Sequence, residues 1–293
     1  MTRRRSRCWS RPPRPRCPRT GTPRRPDPLS ELTNLRAAPV AAARRLAKRT
    51  FRTQDRRFLA EGPQAVREAL GLPGNVVELF VTGEAVGRHA ELLSAAGDVP
   101  VHRVSGRVMT AIAQTVTPQG VVAICRFLDV PLTLEPAPRL VALLAEVRDP
   151  GNAGTVIRVA DAAGADAVVL TRSSVDLYNP KCARASAGSV FHLPVTVEAD
   201  VAATVAALRA AGVQVLAADG AGPADLDAMD DAGDLARPTA WLFGNEAWGL
   251  PAELRALADQ VVRVPIHGRA ESLNLATAAA VCLYASARAQ RRG

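Results

Sequence analysis

The chain has 293 residues, 48% of them hydrophobic, and no apolar run near the roughly eighteen residues of a membrane helix, so a soluble protein of about two domains is expected. The formal charge of +9 is polarised: 18 of the 37 Lys and Arg but only 3 of the 28 Asp and Glu lie in residues 1–57, a net of +15 that leaves −6 for the rest. A basic arm on a mildly acidic body points to nucleic acid as partner, and cysteines at 8, 17, 125, 182 and 282, without paired spacing, point to reduced thiols in the cytoplasm rather than a disulfide framework.

Residues 1–38 open with the Arg/Pro-rich "MTRRRSRCWSRPPRPRCPRTGTPRRPDP", which cannot bury enough apolar area to order itself. It reads either as a disordered RNA-binding arm or as translated upstream sequence from a mis-called start; no apolar region follows that would make it a secretory signal. From residue 39 the pattern is helical, with Arg44, Arg45, Lys48, Arg49 and Arg52 recurring beside Val40, Leu46 and Phe51, an amphipathic helix with a cationic face suited to RNA. A helix at 63–70, strands at 76–83 and 101–105 around a helix at 84–96, a helix at 106–115 and a strand at 120–127 complete a small α/β domain over 39–127. Three prolines in "LDVPLTLEPAP" mark 128–139 as a linker.

Strands and helices alternate again over 140–293. The spacing predicts strand 140–145, helix 153–163, strand 167–170, helix 181–190, helix 201–211 and strand 213–217. Strand 240–243, a helix near 251–258, strand 261–264 and a closing helix at 273–289 follow. Such alternation predicts a mostly parallel sheet covered on both faces.

The stretch "EVRDPGNAGTVIRVADAAGADAVVL" (146–170) is a strand, a glycine-flanked asparagine and a helix. A dinucleotide fingerprint is absent: the glycines do not fit G-x-G-x-x-G and no acidic residue ends the second strand; a Walker loop would need Gly-Lys-Ser/Thr. Gly154 is expected to open the helix and Gly164 to end it, which leaves Asn152 and Arg158 unexplained by turn chemistry. Two further stretches share the oddity. "TAWLFGNEAWGLP" (239–251) breaks into glycines around Glu246, which could equally be a turn acid. "VRVPIHGRAESLNLATAAA" (262–280) sets Glu271, Ser272 and Asn274 before an apolar helix, where Ser272 could equally be a cap. All three stretches follow strands, where open α/β sheets bind ligands.

Together, "DPGNAGTVIRVADAAGADAVVL", "LFGNEAWGL" and "VPIHGRAESLNLATAAAVCLYASAR" resemble the three ordered motifs of the SpoU (TrmH-type) branch of the SPOUT RNA methyltransferases, over about residues 140–293. "NPKCARASAGSVFHLPV" (179–195) also looks like that family, and 39–127 more loosely resembles the ribosomal-protein-like RNA-binding domain often placed before it. The resemblance implies a parallel-sheet catalytic domain closed by a deep trefoil knot, against the usual rule on threading. It further implies a homodimer, S-adenosylmethionine as cofactor, and methyl transfer to a ribose 2′-hydroxyl of RNA, with rRNA favoured and tRNA an alternative.

Carried onto these positions, the cofactor contacts fall at Leu242, Gly244, Val264, Ile266 and Leu273, largely through the backbone. Arg158 falls on the family's catalytic arginine, acting either as a base with an RNA phosphate or as a fixed charge that lowers the hydroxyl's pKa, since a guanidinium does not readily give up its proton. Asn152 would hold Arg158 or the ribose, while Glu246, Ser272 and Asn274 would shape the substrate side. Arg184 reads either as a phosphate contact or as a solvated helix charge. Histidines 89, 102, 192 and 267 lack ligand spacing, so no metal is expected. The competing reading is an RNA-binding module without catalysis, which would bind RNA but no cofactor.

Overall fold

The computed structural model describes residues 31–245 and 248–292. The Arg/Pro-rich segment 1–30 and Glu246 lie outside the described residues. Two helices, α1 (Ala38–Arg45) and α2 (Arg49–Asp55), lead into β1 (Arg57–Glu61), α3 (Pro63–Gly71), β2 (Val76–Thr82), α4 (Gly83–Arg88), α5 (Ala90–Ala95), β3 (Val101–Val104), α6 (Gly106–Ile112) and β4 (Val121–Arg126). The four strands form one sheet in the order β1-β4-β2-β3, antiparallel except where β2 meets β3.

The single basic helix expected from residue 39 is two short helices and a strand. Lys48 adopts an extended backbone and Arg56 a left-handed one (φ 51°), which break the run twice. The strand escapes a reading by periodicity because "RFLAE" buries its three central residues in a row, with no alternation to follow. Arg52, assigned to the cationic face, is only 3% exposed: its guanidinium donates to the Leu46 and Ala47 carbonyls and pairs with Asp176 at 2.5 Å.

The chain continues through β5 (Leu140–Leu144), α7 (Pro150–Ala163), β6 (Ala167–Thr171), α8 (Pro180–Ala185), β7 (Val195–Ala199), α9 (Val201–Ala210), β8 (Gln214–Ala218), β9 (Ala224–Asp225) and α10 (Leu226–Asp231). It ends with β10 (Thr239–Phe243), α11 (Ala252–Arg255), β11 (Gln260–Arg263) and α12 (Leu275–Arg292). Seven strands pair in the order β7-β6-β5-β10-β8-β11-β9, every pair parallel. The expected parallel sheet is present; β7 and β9 add strands to it that the pattern does not show, and α10 adds a helix. The helix expected over 181–190 stops at Ala185, because Ala187 and Gly188 both take positive φ (50° and 102°).

The segment between the sheets is not a free tether. The Val130 amide donates to the Val195 carbonyl, and Leu132 and Leu134 pack on the core beside β8 and β10. One apolar cluster runs from Phe58 and Ala123 of the first sheet to Leu144, Val156 and Phe191 of the second. Phe58 packs against Tyr178 and Phe191, at ring-centroid distances of 4.8 and 5.9 Å. The Tyr178 hydroxyl accepts from the Leu128 and Asp129 amides and donates to the Asp129 carboxylate at 2.6 Å. Ion pairs Arg49–Glu198, Arg56–Asp129 and Arg184–Glu61 span the same seam.

Candidate active site

The register of the large sheet decides where its loops meet. Phe243 of β10 pairs with Leu144 of β5 on one side and Ala218 of β8 on the other, so three strands end at one level. Val262 of β11 pairs with Ala218, bringing a fourth strand to the same edge. Residues a hundred positions apart are thereby gathered at the carboxyl edge of a parallel sheet.

Each loop is held by its own sequence. After β5, Glu146 takes a left-handed backbone (φ 56°), its amide donating to Thr171 Oγ1 and its carbonyl accepting from Asn245 Nδ2 at 2.9 Å. Asp149 then caps α7: its carboxylate accepts from the Asn152 amide at 2.8 Å and pairs with Lys181 at 2.7 Å. Lys181, and next the Asn152 amide, hold that carboxyl below its ordinary range. With Pro150 at the first helical position, Gly151, Asn152 and Gly154 lie inside the first turns of α7 rather than in a loop.

Gly154 therefore does not open the helix. A Cβ there would stand 2.3 Å from the Cys182 carbonyl oxygen and 2.7 Å from Ala185 Cβ, so the missing side chain is what lets α7 and α8 touch. Burial pushes the Cys182 thiol at this contact up to about 12, which keeps it protonated.

After β10, Asn245 and Gly249 exchange both backbone hydrogen bonds at 2.9 Å, closing a tight turn. Gly244 needs its lack of side chain here too, since a Cβ would meet the Gly249 carbonyl oxygen at 2.5 Å. After β11 the chain runs irregularly to Asn274, whose side-chain oxygen accepts from the Ala276 amide at 2.9 Å. Asn274, not Ser272, thus caps α12. The helix is fixed against the sheet by a buried hydrogen bond from Trp241 Nε1 to Ser286 Oγ, 2.9 Å.

The loops after β8, β10 and β11 form a cleft of about 320 Å³ lined by Gly244, Asn245, Gly249, Val264, Ile266, Glu271, Ser272 and Leu273, with Asp219 and Gly220 on the β8 side. Four of the five expected cofactor positions, Gly244, Val264, Ile266 and Leu273, line it. Leu242 does not: it is a fully buried β10 residue behind the wall. Asp219 and Gly220 were missed because the loop after β8 carries no motif; only the strand's own "LAADG" ending hinted at it.

Asn152 and Asn274 are brought together, with Asn274 Nδ2 donating to Asn152 Oδ1 at 3.2 Å. Ser272 is exposed on the cleft. Arg158 is exposed on α7, six residues past Asn152, and does not line the cleft of its own chain. Arg44, Arg45, Lys48 and Arg49 lie at the surface of α1 and α2, with Arg45 over the Phe51 ring at 4.3 Å and Arg49 paired with Glu198. Arg184 is part-buried and pairs with Glu61, whose carboxyl is pushed up by burial.

A cleft of this size with apolar walls and a few polar groups suits a nucleoside-sized ligand. Comparison with known proteins narrows the class. Residues 139–284 match the SpoU rRNA Methylase family, and residues 38–123 match the MRM3-like substrate binding domain. The chain is 35% identical to the 23S rRNA (guanosine(2553)-2′-O)-methyltransferase RlmP of Bacillus subtilis over 87% of its own length and 98% of that protein's. Among solved structures it superposes on the AdoMet-bound rRNA methyltransferase of Sinorhizobium meliloti with a TM-score of 0.77 at 34% identity, covering 88% of this chain and 97% of that one. The SpoU methyltransferase AviRb of Streptomyces viridochromogenes in complex with AdoMet gives 0.73 at 30% identity, over 88% and 99% of the two chains. With motifs, sheet and cleft in agreement, the chain belongs to the SpoU rRNA methylase family.

Proposed function

We propose that the protein transfers a methyl group from S-adenosylmethionine to a ribose 2′-hydroxyl of ribosomal RNA. The observation that carries this reading is the cleft built by the second and third motifs after β10 and β11, with the first motif joined to its edge by the Asn152–Asn274 hydrogen bond, in a chain matched over nearly its full length by a 23S rRNA 2′-O-methyltransferase. The residues fit the cofactor: Gly244 and Gly249 present backbone polar groups to the cleft, and Val264, Ile266 and Leu273 offer apolar walls for a nucleobase. When bound there, the sulfonium supplies an already activated methyl group, so the protein has to orient the hydroxyl and ease removal of its proton.

Arg158 is assigned the second task as a fixed positive charge that stabilises the developing alkoxide and orients a neighbouring phosphate. Asn152, braced by Asn274, positions the ribose, and Ser272 and Glu246 shape the substrate side. Arg158 lies outside its own chain's cleft, which supports a homodimer in which the partner's arginine completes each site. Tyr284 and Val281, half-exposed on α12, supply apolar surface for that contact. A trefoil knot is the topology we favour, because β10 enters the sheet between β5 and β8 after both are in place, and α12 then packs back over α7. Residues 39–127 serve as the RNA-recruiting domain, with Arg44, Arg45 and Lys48 on its surface, and the cytoplasm as the site of action follows from the rRNA substrate.

The test is methyl transfer from labelled cofactor to ribosomal RNA. Wild type should label a ribose; Arg158→Ala should lose about 100-fold or more in rate while binding S-adenosylhomocysteine as wild type does in calorimetry. No label in rRNA, or an unimpaired Arg158→Ala, refutes the assignment.

A further inference from the structure

Trp248 is 56% exposed at the tip of the Asn245–Gly249 turn, immediately beside Gly249, which lines the cleft. Trp241, by contrast, is fully buried with its indole N–H satisfied. An exposed indole forgoes the large burial its ring would otherwise gain. Asn245 and Gly249 exchange two backbone hydrogen bonds, and Asn245 Nδ2 ties this strand end to the Glu146 carbonyl of the β5–α7 loop. The Arg148 guanidinium lies over the ring, 5.2 Å from its centroid, and Arg148 is itself exposed on the β5–α7 loop, four residues before Asn152. Ile266, 38% exposed, continues the apolar rim into the cleft.

We propose that Trp248, backed by Arg148, is a stacking platform for an unpaired nucleobase next to, or of, the nucleotide being methylated. The inference rests on the RNA-methyltransferase reading of the cleft and deepens it by assigning the target as unpaired RNA. A ribose in a continuous helix is held by stacking on both sides, whereas in-line attack at the cleft needs the nucleotide splayed out; a flat aromatic surface at the rim replaces the stacking that is given up. A guanidinium over one ring face favours this arrangement, because the cation–π contact holds that face and leaves the stacking to the other. Stacking tolerates any base, so the platform orders the nucleotide without choosing its identity, and Trp248 is a positioning residue.

Two measurements on the full chain decide the matter. In steady-state methylation of a 23S rRNA transcript, Trp248→Ala should raise KM for RNA about tenfold, with kcat and cofactor affinity changed by less than about threefold. Trp248→Phe, which keeps a ring, should restore most of that affinity. Separately, in a Trp9→Phe background, titration with a short oligouridylate should quench tryptophan fluorescence, and adding Trp248→Phe should abolish the quench. An unchanged KM in Trp248→Ala, a Phe variant as impaired as the Ala variant, or a quench that is absent or survives removal of Trp248 would overturn the proposal. If wild type methylates no RNA, the functional reading fails on its own, and the fluorescence arm still decides whether the ring stacks on a base.

Discussion

Single atoms govern the α7–α8 contact. Gly154→Ala would press a Cβ against the Cys182 carbonyl and the Ser186 amide, both backbone, which cannot swing aside. We expect a destabilisation of about 1–3 kcal/mol, visible as a lowered urea midpoint and a melting temperature several degrees down. Activity should fall with it, because α7 carries Asn152, which is hydrogen-bonded to Asn274 at the edge of the cleft. Gly87→Ala in α4 is the matched comparison: nothing stands within 4 Å of the added carbon and φ is not positive. It should be neutral or stabilising by up to about 1 kcal/mol. If both glycines behave alike, the packing argument for Gly154 is wrong.

At the scale of elements, α3 and α7 are joined through one ring. His192 bonds Asp161 of α7 through Nδ1 at 2.8 Å and Glu68 of α3 through Nε2 at 3.0 Å. Only the charged imidazole can donate from both nitrogens, and Asp161 first, then Glu68, hold its pKa above the ordinary histidine value. The sign follows. The bridge is fully present below the unfolded-state pKa of about 6.5 and weakens as pH rises through the higher folded-state value. Denaturant midpoints of wild type should therefore fall across that window, and His192→Gln should flatten the fall; an unchanged profile would dismiss the bridge. Elements with a strong period or a cap were legible in the sequence: β5, β6, β8, β10 and α12 lie close to where pattern alone put them. α7 was misjudged by one turn, because its glycines drew attention from the Asp149-Pro150 pair that starts it. β1 and β9 were invisible because one is buried throughout its middle and the other is two residues long.

For the molecule as a whole, the charge polarity of the sequence makes a separate prediction. Residues 1–28 hold ten arginines and one acidic residue. Deleting them should weaken RNA binding and flatten its dependence on salt, since every phosphate that the segment no longer neutralises keeps its condensed counterion. Cofactor affinity and melting temperature should stay unchanged; equal salt slopes with and without the segment would show that it touches no phosphates. The cleft itself was legible only through its motifs. Gly244, Ile266 and Leu273 could be named from sequence, but Asp219 could not, because it enters through strand register rather than through any local pattern. The seam between the two sheets lay equally beyond sequence, since no local pattern joins Phe58 to Phe191 or Arg184 to Glu61. That seam has a practical consequence for hybrid enzymes. A chimera that borrows its recognition half from a relative would inherit a stranger's side of every one of those pairings, and would have to refit Tyr178, Phe191 and Arg184 to match it.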